Sequence, residues 1–375
     1  MIRNYLKTAL RNLSRNKVYS VINIAGFSIG LAVSMLIIFY VKHELTYDRF
    51  HSDKENIYRL AFRQSDGKSS EIRSSSVPVM GPEITEKVPE VTGFTRISTY
   101  YGGTLTSEQQ GYRERAIRFA DSSLFDMLGF DLKQGNPHTA LSGPDKIVLT
   151  PGLANRIFGE EDPLGKTLTY NNQTHLTVSG IVQDPPDRTH IRFSALVSFE
   201  TLYDMMHPQH FSWKGGWGYY TYMQVDPNRE DATLEKGLDD IIYENLGKRI
   251  EEYGWTIDPF LQPMADIYLH HGGMQDEPAS SGNLSNIYIF SAIAAFLLII
   301  AGINFMNLST AQSIKRFKEV GIRKVTGASR KSLIAQFMGE SLMVTFISFI
   351  LAIILMEVFL PHFNRLLGTP PAIYT

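Results

Sequence analysis

Residues 18–41 read VYSVINIAGFSIGLAVSMLIIFYV and contain no Asp, Glu, Lys, Arg or His. A predominantly apolar helix of about 20 residues crosses the hydrocarbon core of a bilayer, so this segment predicts a transmembrane helix. A cleaved signal peptide is the alternative, but the segment is longer than a usual signal core, and Val41-Lys42-His43-Glu44 offers no small-residue cleavage site. We therefore expect an uncleaved membrane anchor.

Two later segments have the same character. Residues 287–314 carry no charge, and SLMVTFISFILAIILM, residues 341–356, lies between Glu340 and Glu357. The cores of soluble proteins seldom need uncharged runs of this length. The sequence therefore predicts further transmembrane helices over residues 287–312 and 332–360.

The charges that flank these spans predict the orientation of the chain. Arg3, Lys7, Arg11, Arg15 and Lys17 precede the first span without any acid. Only Glu319 opposes the basic residues between the second and third spans, which are Lys315, Arg316, Lys318, Arg323, Lys324, Arg330 and Lys331. Positively charged flanks stay in the cytoplasm. Residues 42–286, which have a clear acidic excess, are thus expected to form one large domain outside it.

The overall composition excludes several classes of function. A formal net charge of −2 gives no sign of nucleic-acid binding. The absence of cysteine excludes disulfides, thiolate metal sites and cysteine nucleophiles. We find no nucleophile elbow and no carboxylate pair with glycosidase spacing, so no catalytic residue is expected.

The outer region alternates strand and helix signals. Strands are expected at residues 57–62, 91–99, 219–225 and 267–270, and helices at residues 78–88 and after a cap at Asp231. The second helix has an apolar stripe made of Leu234, Leu238, Ile241, Ile242 and Leu246. Together these elements predict a split β-α-β, porter-like subdomain in an α+β domain.

A large insertion, residues 113–198, is expected to form a second, mixed lobe. Residues 146–149 have a strand pattern, and Thr150-Pro151 then predicts the start of a short helix that ends at Gly159. Residues 168–170 and 174–178 flank Asn171-Asn172 as the two strands of a hairpin would.

Three motifs of the outer region have ordinary structural explanations. Gly165-Lys166-Thr167 lacks the correctly spaced upstream glycine of a phosphate-binding loop and follows three acidic residues, so we expect a turn. His207, His210 and the pair His270-His271 lack a nearby third ligand, which favours solvated loops and no metal. A packed strand beside a glycine turn is expected for the aromatic run of Trp213, Trp217, Tyr219, Tyr220 and Tyr222.

Residues 1–17 and the first span carry two further patterns. The basic residues of the N-terminus recur every four positions opposite an apolar face, which predicts a helix along the inner leaflet; a plain stop-transfer flank is the alternative. Gly26, Gly30 and Ser34 share one face of the first span and predict a seam where a neighbouring helix approaches closely.

The segment between the second and third spans, residues 313–331, is predicted to be a short coupling helix. Glu319 and Arg323 are spaced for an ion pair, Phe317, Val320 and Val325 are apolar, and Gly327-Ala328-Ser329 breaks the helix. A charged helix with an apolar side suits docking of a cytoplasmic protein. A loop that binds lipid headgroups is the alternative, but it would not explain the apolar residues.

Three stretches resemble the MacB/FtsX-like permease family of ABC transporters. They are NYLKTALRNLSRNKVYSVINIAGFSIGLA from residue 4, FADSSLFDMLGFDLKQG from residue 119 through IVLTPGLANRIFGEEDPLGKTL to VSGIVQDPP, and INFMNLSTAQSIKRFKEVGIRKVTGASRKSLIAQFMGESL from residue 303. The resemblance implies a MacB-like periplasmic core domain and a bacterial inner-membrane location. It also implies a dimeric permease that works by transmitting motion.

The resemblance further implies a partner. A separate cytoplasmic ABC ATPase dimer, which holds ATP and Mg, is expected to dock on Lys315, Arg316, Lys318, Glu319, Val320, Gly321, Ile322, Arg323 and Lys324. Residues 361–375 are expected to lie outside and to lead to a fourth helix that the family has, so the chain resembles the front part of a longer permease.

Three functions fit this resemblance and layout. An ABC permease would move an amphiphile, such as a drug, peptide or lipoprotein, at the outer face. A membrane sensor or a regulator of cell-envelope hydrolases is the alternative, with a possible outer partner. A sensor should continue into a signalling module after the second span, whereas this chain returns directly to the membrane.

Overall fold

The computed structural model describes residues 17–51, 55–99, 101–108, 110–270, 273–276, 282–315, 317–326 and 329–367. Residues 1–16 of the predicted amphipathic helix lie outside these ranges. The chain divides into a helical unit, made of residues 1–45 and 284–375, and an outer unit, residues 46–283.

The α-helices, numbered in chain order, are α1 (Lys17–Leu45), α2 (Met80–Lys87), α3 (Leu124–Leu128), α4 (Pro137–Ala140), α5 (Pro151–Phe158), α6 (Thr201–Met205), α7 (Asp231–Tyr253), α8 (Leu284–Lys315), α9 (Phe317–Val325) and α10 (Arg330–Leu367). The β-strands are β1 (Ile57–Ser65), β2 (Ser70–Arg73), β3 (Val91–Ser98), β4 (Gly103–Ser107), β5 (Gln110–Glu114), β6 (Ile117–Ala120), β7 (Leu132–Gln134), β8 (Lys146–Leu149), β9 (Thr167–Tyr170), β10 (Thr174–Val182), β11 (Ala195–Ser198), β12 (Tyr219–Val225) and β13 (Thr256–Pro263).

Among its described residues, the helical unit has three helices that are long and apolar enough to cross a membrane: α1, α8 and α10. Helix α1 packs against both of the others. Helix α10 continues beyond the predicted end of the third span at residue 360 and passes through Pro361 to Leu367. Proline is tolerated inside a membrane helix where the freed backbone groups find other partners.

Four strands of the outer unit form the predicted split β-α-β arrangement. Their order in the sheet is β13-β1-β12-β3, and every neighbouring pair is antiparallel. Helices α2 and α7 connect consecutive strands and pack on one face, where their apolar residues meet Met223 and Val225 of β12. Tyr220 and Tyr222 point to the opposite face because side chains alternate along a strand.

The chain between β3 and β12 forms the inserted, mixed part of the sheet. Its strands continue the order as β6-β11-β8-β10-β9-β4-β5, with parallel pairing of β6 with β11 and of β8 with β10. Ile97 of β3 pairs with Ala120 of β6, so the two parts share one hydrogen-bonded network. The fold is therefore an α-helical membrane protein with a large α+β outer domain, as predicted.

Local signals in the inserted part are confirmed. Pro151 is the first residue of α5 and Thr150 its N-cap, while Gly159 ends the helix with φ +63°. Strands β9 and β10 form the predicted hairpin, and both turn residues have positive φ, 49° at Asn171 and 59° at Asn172. Asparagine tolerates this backbone better than other non-glycine residues, which explains the pair.

Two predictions for the outer unit are wrong. The last strand is not residues 267–270, which form a turn, but β13, which pairs with residues 58–65 of β1. Pro259 and Pro263 weaken the strand pattern of β13, yet the edge of a sheet accepts proline. Asp231 is the first residue of α7 rather than its cap, since Glu230 takes the N-cap position without a side-chain hydrogen bond.

Candidate functional site

Helix α9 is a nine-residue helix between the membrane-length helices α8 and α10. It contains the predicted coupling residues except Lys315, which ends α8, and Arg316, which lies outside the described residues. The side chains of Lys315, Lys318, Glu319 and Arg323 also lie outside the description. The predicted Glu319–Arg323 ion pair therefore stays a prediction.

The described side chains of α9 give it an exposed apolar surface. Ile322 is 58% exposed and Val325 89% exposed, and the two lie one helical turn apart. Val320 is half-buried, while Gly321 and Lys324 are exposed. Ile322 and Val325 thus form a small exposed apolar surface on α9.

The boundaries of α9 agree with the predicted helix break. The amide of Thr326 donates to the carbonyl of Ile322 at 3.0 Å, and its hydroxyl donates to the same carbonyl at 3.1 Å. Helix α10 then begins at Arg330, with the Leu333 amide donating to the Ser329 carbonyl at 3.2 Å. Gly327 and Ala328 lie outside the described residues.

Gly26, Gly30 and Ser34 lie on the side of α1 that faces α8, and we call them the glycine seam. A Cβ atom on Gly30 would come within 2.7 Å of the Ala301 Cβ, and one on Gly26 would lie 3.4 Å from the Asn304 amide nitrogen. The Ser34 hydroxyl donates to the carbonyl of Ala294 at 3.3 Å. The two backbones thus approach closely because α1 has small residues here.

The outer-unit motifs have structural roles. Gly165, with φ +75°, lies in a turn, as predicted, and Lys166 pairs with Glu161. Tyr219 and Tyr222 are fully buried in β12, which confirms the packed strand. His207 is not merely solvated, because it accepts from the Gln209 amide at 3.2 Å.

Two other histidines also have partners. His210 hydrogen-bonds Tyr219 with 3.0 Å between Nε2 and the hydroxyl, so it is not simply a solvated loop residue. The Nδ1 atom of exposed His270 lies 3.2 Å from an Asp266 carboxylate oxygen. Among the described residues, no group of three or more His, Asp or Glu side chains has a geometry that could hold a metal ion.

Sequence reasoning missed a buried polar network in the outer unit. Asp48, which is 1% exposed, accepts hydrogen bonds at one carboxylate oxygen from the Thr189 hydroxyl at 2.8 Å and the His190 amide at 3.0 Å. Its other oxygen lies 2.8 Å from Nδ1 of His190, whose Nε2 is 2.7 Å from the Tyr222 hydroxyl. Nδ1 of His51 lies 2.5 Å from the Leu128 carbonyl oxygen.

The electrostatics of this network favour a charged Asp48. Burial opposes ionisation of the carboxyl group, but the His190 ring, with Nδ1 2.8 Å from one carboxylate oxygen, and the hydrogen bond from the Thr189 hydroxyl outweigh it. The pKa of Asp48 therefore lies below its ordinary value. In the sequence, the only signal of this network is His51, which lies three residues after Asp48 just beyond the first span. Thr189, which donates to Asp48, is 141 positions away.

Two family models match the chain. One, described as the MacB-like periplasmic core domain, matches residues 20–241, which is more than half of the chain. The other, described as the FtsX-like permease C-terminal domain, matches residues 291–374. The first match spans α1 and most of the outer unit, and the second includes α9 and α10.

The known proteins that are similar to this chain are distant in sequence. The macrolide export ATP-binding/permease protein MacB of Neisseria meningitidis is 23% identical over 334 residues, which cover 88% of this chain and 48% of that protein. The ABC transporter permease YknZ of Bacillus subtilis is 24% identical over 358 residues, covering 91% of this chain and 82% of that one. The chain thus spans about half the length of the MacB relatives.

A solved structure shares the fold of the outer unit. A domain of a permease protein from Porphyromonas gingivalis superposes with a TM-score of 0.51 at 19% identity and covers 64% of this chain and 98% of that one.

Proposed function

The chain belongs to the MacB/FtsX-like family of ABC transporter permeases, and we propose that it couples ATP hydrolysis by a separate cytoplasmic ATPase to movement of its outer domain. It is a membrane protein with an extracytoplasmic domain. Nothing in its described residues suggests a nucleotide site of its own, so we assign ATP and Mg to the partner subunit.

The exposed apolar surface of α9 carries this proposal. Ile322 and Val325 project from a helix that joins two membrane-length helices directly, through only a few residues on either side. Basic residues beside exposed isoleucine and valine also suit a helix on the membrane surface, so the permease-stimulated ATP turnover described below separates that alternative from protein docking. A protein partner with an apolar cleft accounts for both, because burial of an isoleucine side chain contributes roughly 1.5–3 kcal/mol.

Close packing of α1 and α8 supports transmission of movement from that partner. Helix α9 follows α8, and the glycine seam holds α8 against α1. These are the two helices whose ends, Leu45 and Leu284, lead into and out of the outer unit. Two helices that move together would deliver a displacement to both ends of the outer domain, whereas a loosely packed pair would dissipate it.

The orientation and substrate are part of the proposal. We place α9 and the N-terminus in the cytoplasm and the outer unit in the periplasm, because the basic flanks favour it. A second copy of the permease, or a second similar half, would complete the complex. The relatives named for macrolide export support an amphiphilic substrate, a class that includes drugs, peptides and lipoproteins.

Substitutions on α9 test the coupling role. We expect Ile322→Ser with Val325→Ser to lower ATP turnover stimulated by the permease about tenfold, because a buried apolar anchor is removed. Replacement of Glu319 together with Gly321–Arg323 should abolish the stimulation. Turnover is measured in nanodiscs that contain the chain and the ATP-binding subunit co-purified with it.

Leu164→Ser is the matched control, since Leu164 is also apolar and 38% exposed but lies in the outer unit. Membrane insertion and yield should be equal for all variants. Unchanged turnover in the α9 variants, or an equal loss in Leu164→Ser, would reject the docking role of α9.

A further inference from the structure

Two short segments of the outer unit lie next to the membrane helices in sequence. The first connector, residues 46–51, follows α1, and the second connector, residues 273–276, precedes α8. Each contains an aspartate with a left-handed backbone, with φ 54° at Asp48 and 61° at Asp276. Residues other than glycine keep this conformation where their surroundings hold it.

The first connector is held on Tyr222 of β12. The Tyr222 hydroxyl pairs with His190 Nε2 at 2.7 Å, and His190 Nδ1 lies 2.8 Å from the Asp48 carboxylate. The Asp48 amide donates to the Arg188 carbonyl at 2.8 Å. Asp48, His190 and Tyr222 are each at most 2% exposed, so water cannot easily replace a lost hydrogen-bond partner.

The second connector is held on Tyr220, two residues earlier in the same strand. The Tyr220 hydroxyl donates to the Asp276 carbonyl at 2.5 Å. The Asp276 carboxylate accepts from Ser75 at 2.6 Å and from Arg73 at 2.8 Å. The neighbouring Gln275 pairs with the backbone of the β2 end, where its amide donates to the Ile72 carbonyl at 2.7 Å.

Strand β12 thus receives both connectors on one face. Tyr220 and Tyr222 lie on the face opposite α2 and α7, and fully buried Arg59 of β1 lies beside them. The Arg59 guanidinium is 5.8 Å from the Tyr220 ring centroid, donates to Gln262 at 2.7 Å and contacts the Met274 sulfur at 3.7 Å. Tyr47 also stacks on Tyr268 with 3.5 Å between ring centroids.

We propose that β12 is the strand through which both membrane connectors move the outer domain, with Tyr222 holding the first connector through His190 and Asp48, and Tyr220 holding the second connector at the Asp276 carbonyl. This inference rests on the proposed transmission of movement. Since β12 lies between β1 and β3 in the centre of the split β-α-β sheet, a displacement of either connector acts directly on a central strand.

Removal of single hydroxyl groups tests whether the connectors are held in this way. Hydrogen exchange is measured on the full-length chain in nanodiscs. Tyr222→Phe should speed exchange of amides in residues 46–51 about fivefold, the effect expected from one lost hydrogen bond, and leave residues 273–276 unchanged. Tyr220→Phe should do the reverse.

Tyr243→Phe is the matched control, because the Tyr243 hydroxyl donates to Glu251 at 2.7 Å on the exposed side of α7 and should affect neither connector. Unchanged exchange at both connectors in Tyr220→Phe and Tyr222→Phe would overturn the proposal. Uniformly faster exchange across the outer unit would also overturn it, since that result indicates general destabilisation.

A second measurement tests transmission. In the complex with the co-purified ATP-binding subunit, MgATP and vanadate should change exchange in β12 and its neighbours. The double variant Tyr220→Phe with Tyr222→Phe should reduce that change at least about fivefold while ATP turnover continues. An undiminished change in the double variant would overturn the proposal. If Ile322→Ser with Val325→Ser has no effect on turnover, the docking proposal fails. Hydrogen exchange of the chain without the ATP-binding subunit still decides whether β12 holds the connectors.

Discussion

Asp48 shows how a single charge can be kept inside the outer domain. A buried carboxylate is costly unless it is paired and hydrogen-bonded, and Asp48 has Thr189 and His190 as close partners. Loss of these partners would leave an uncompensated charge, and loss of Asp48 would leave buried donors unsatisfied. The residue is therefore more sensitive to substitution than the exposed acids around it.

Asp48→Ala should reduce the free energy of unfolding of the outer domain by about 3–5 kcal/mol at pH 7, because it breaks a buried pair. The pKa of Asp48 is lower in the folded domain than its value of about 3.9 in the unfolded chain. The stability that the Asp48 charge contributes to the folded domain is therefore fully present above about pH 3.9 and is lost as the pH falls below it. The difference between the variant and the original chain should therefore shrink below about pH 4.

Tryptophan fluorescence during urea unfolding of the full-length chain measures this difference. All three tryptophans, Trp213, Trp217 and Trp255, lie in the outer unit, so the signal reports on that unit alone. Asp126→Ala removes a carboxylate that is 54% exposed and should change stability by less than about 0.5 kcal/mol. A loss in Asp48→Ala that stays constant from pH 7 to about pH 3 would contradict the role of the charge.

At the scale of elements, small residues decide how α1 meets α8. Gly30 allows Ala301 to approach, and aromatic pairs flank this contact, with 5.3 Å between the ring centroids of Phe27 and Phe305 and also of Tyr40 and Phe290. Lipid is as apolar as leucine, so the two helices gain from close packing and not from leaving water. Shape therefore matters more here than hydrophobicity.

Gly30→Leu should separate the two helices, at a cost of about 1–3 kcal/mol, because the added side chain overlaps Ala301. The chain lacks cysteine, so Ser34→Cys with Ala294→Cys introduces a single pair of thiols. We expect efficient disulfide formation in this pair and at least a severalfold loss when Gly30→Leu is added.

Gly302→Leu is the matched control for the seam. Gly302 lies on α8, one residue from Ala301, but a Cβ there meets no atom within 4 Å. Disulfide formation between positions 34 and 294 should therefore remain efficient. An equal loss of disulfide formation in Gly30→Leu and Gly302→Leu would contradict the role of close approach at Gly30. It would show that a large side chain anywhere on α1 or α8 disturbs the packing of the two helices.

At the scale of the whole molecule, the chain combines membrane-length helices with an outer domain and a short helix between spans. The positive flanks predict that α9 and the outer domain are on opposite sides of the membrane. The proposed transmission of movement requires this arrangement, because it would place the source of energy and the moving domain in different compartments.

Single cysteines test this topology in intact cells whose outer membrane has been made permeable. Lys68→Cys, on the exposed end of the outer domain, should react with a membrane-impermeant maleimide, whereas Val325→Cys, at an 89% exposed site on α9, should react only after the inner membrane is opened. Each variant has one thiol, because the chain has no cysteine of its own. Labelling of both sites in intact cells would contradict the proposed orientation.

The sequence alone determined the elements whose cause is local. Uncharged runs predicted α1, α8 and α10, because charge inside a bilayer is costly wherever it lies in the chain. The aromatic run at residues 219–225 predicted β12 at its observed bounds, and Asn171-Asn172 predicted a turn, whose two residues are left-handed in the structure. The pattern of α9 was also local, although its docking role stays a prediction.

Only the tertiary structure decided which distant residues meet. Sequence reasoning placed the last strand at residues 267–270 because prolines hide the pattern of β13, and pairing with β1 overrides that weak local preference. It could not join Asp48 to His190, which lies 142 positions away, or connect both with Tyr222. Periodicity reports which face a residue occupies, but the order and register of the strands determine what lies opposite that face, and these depend on the whole chain.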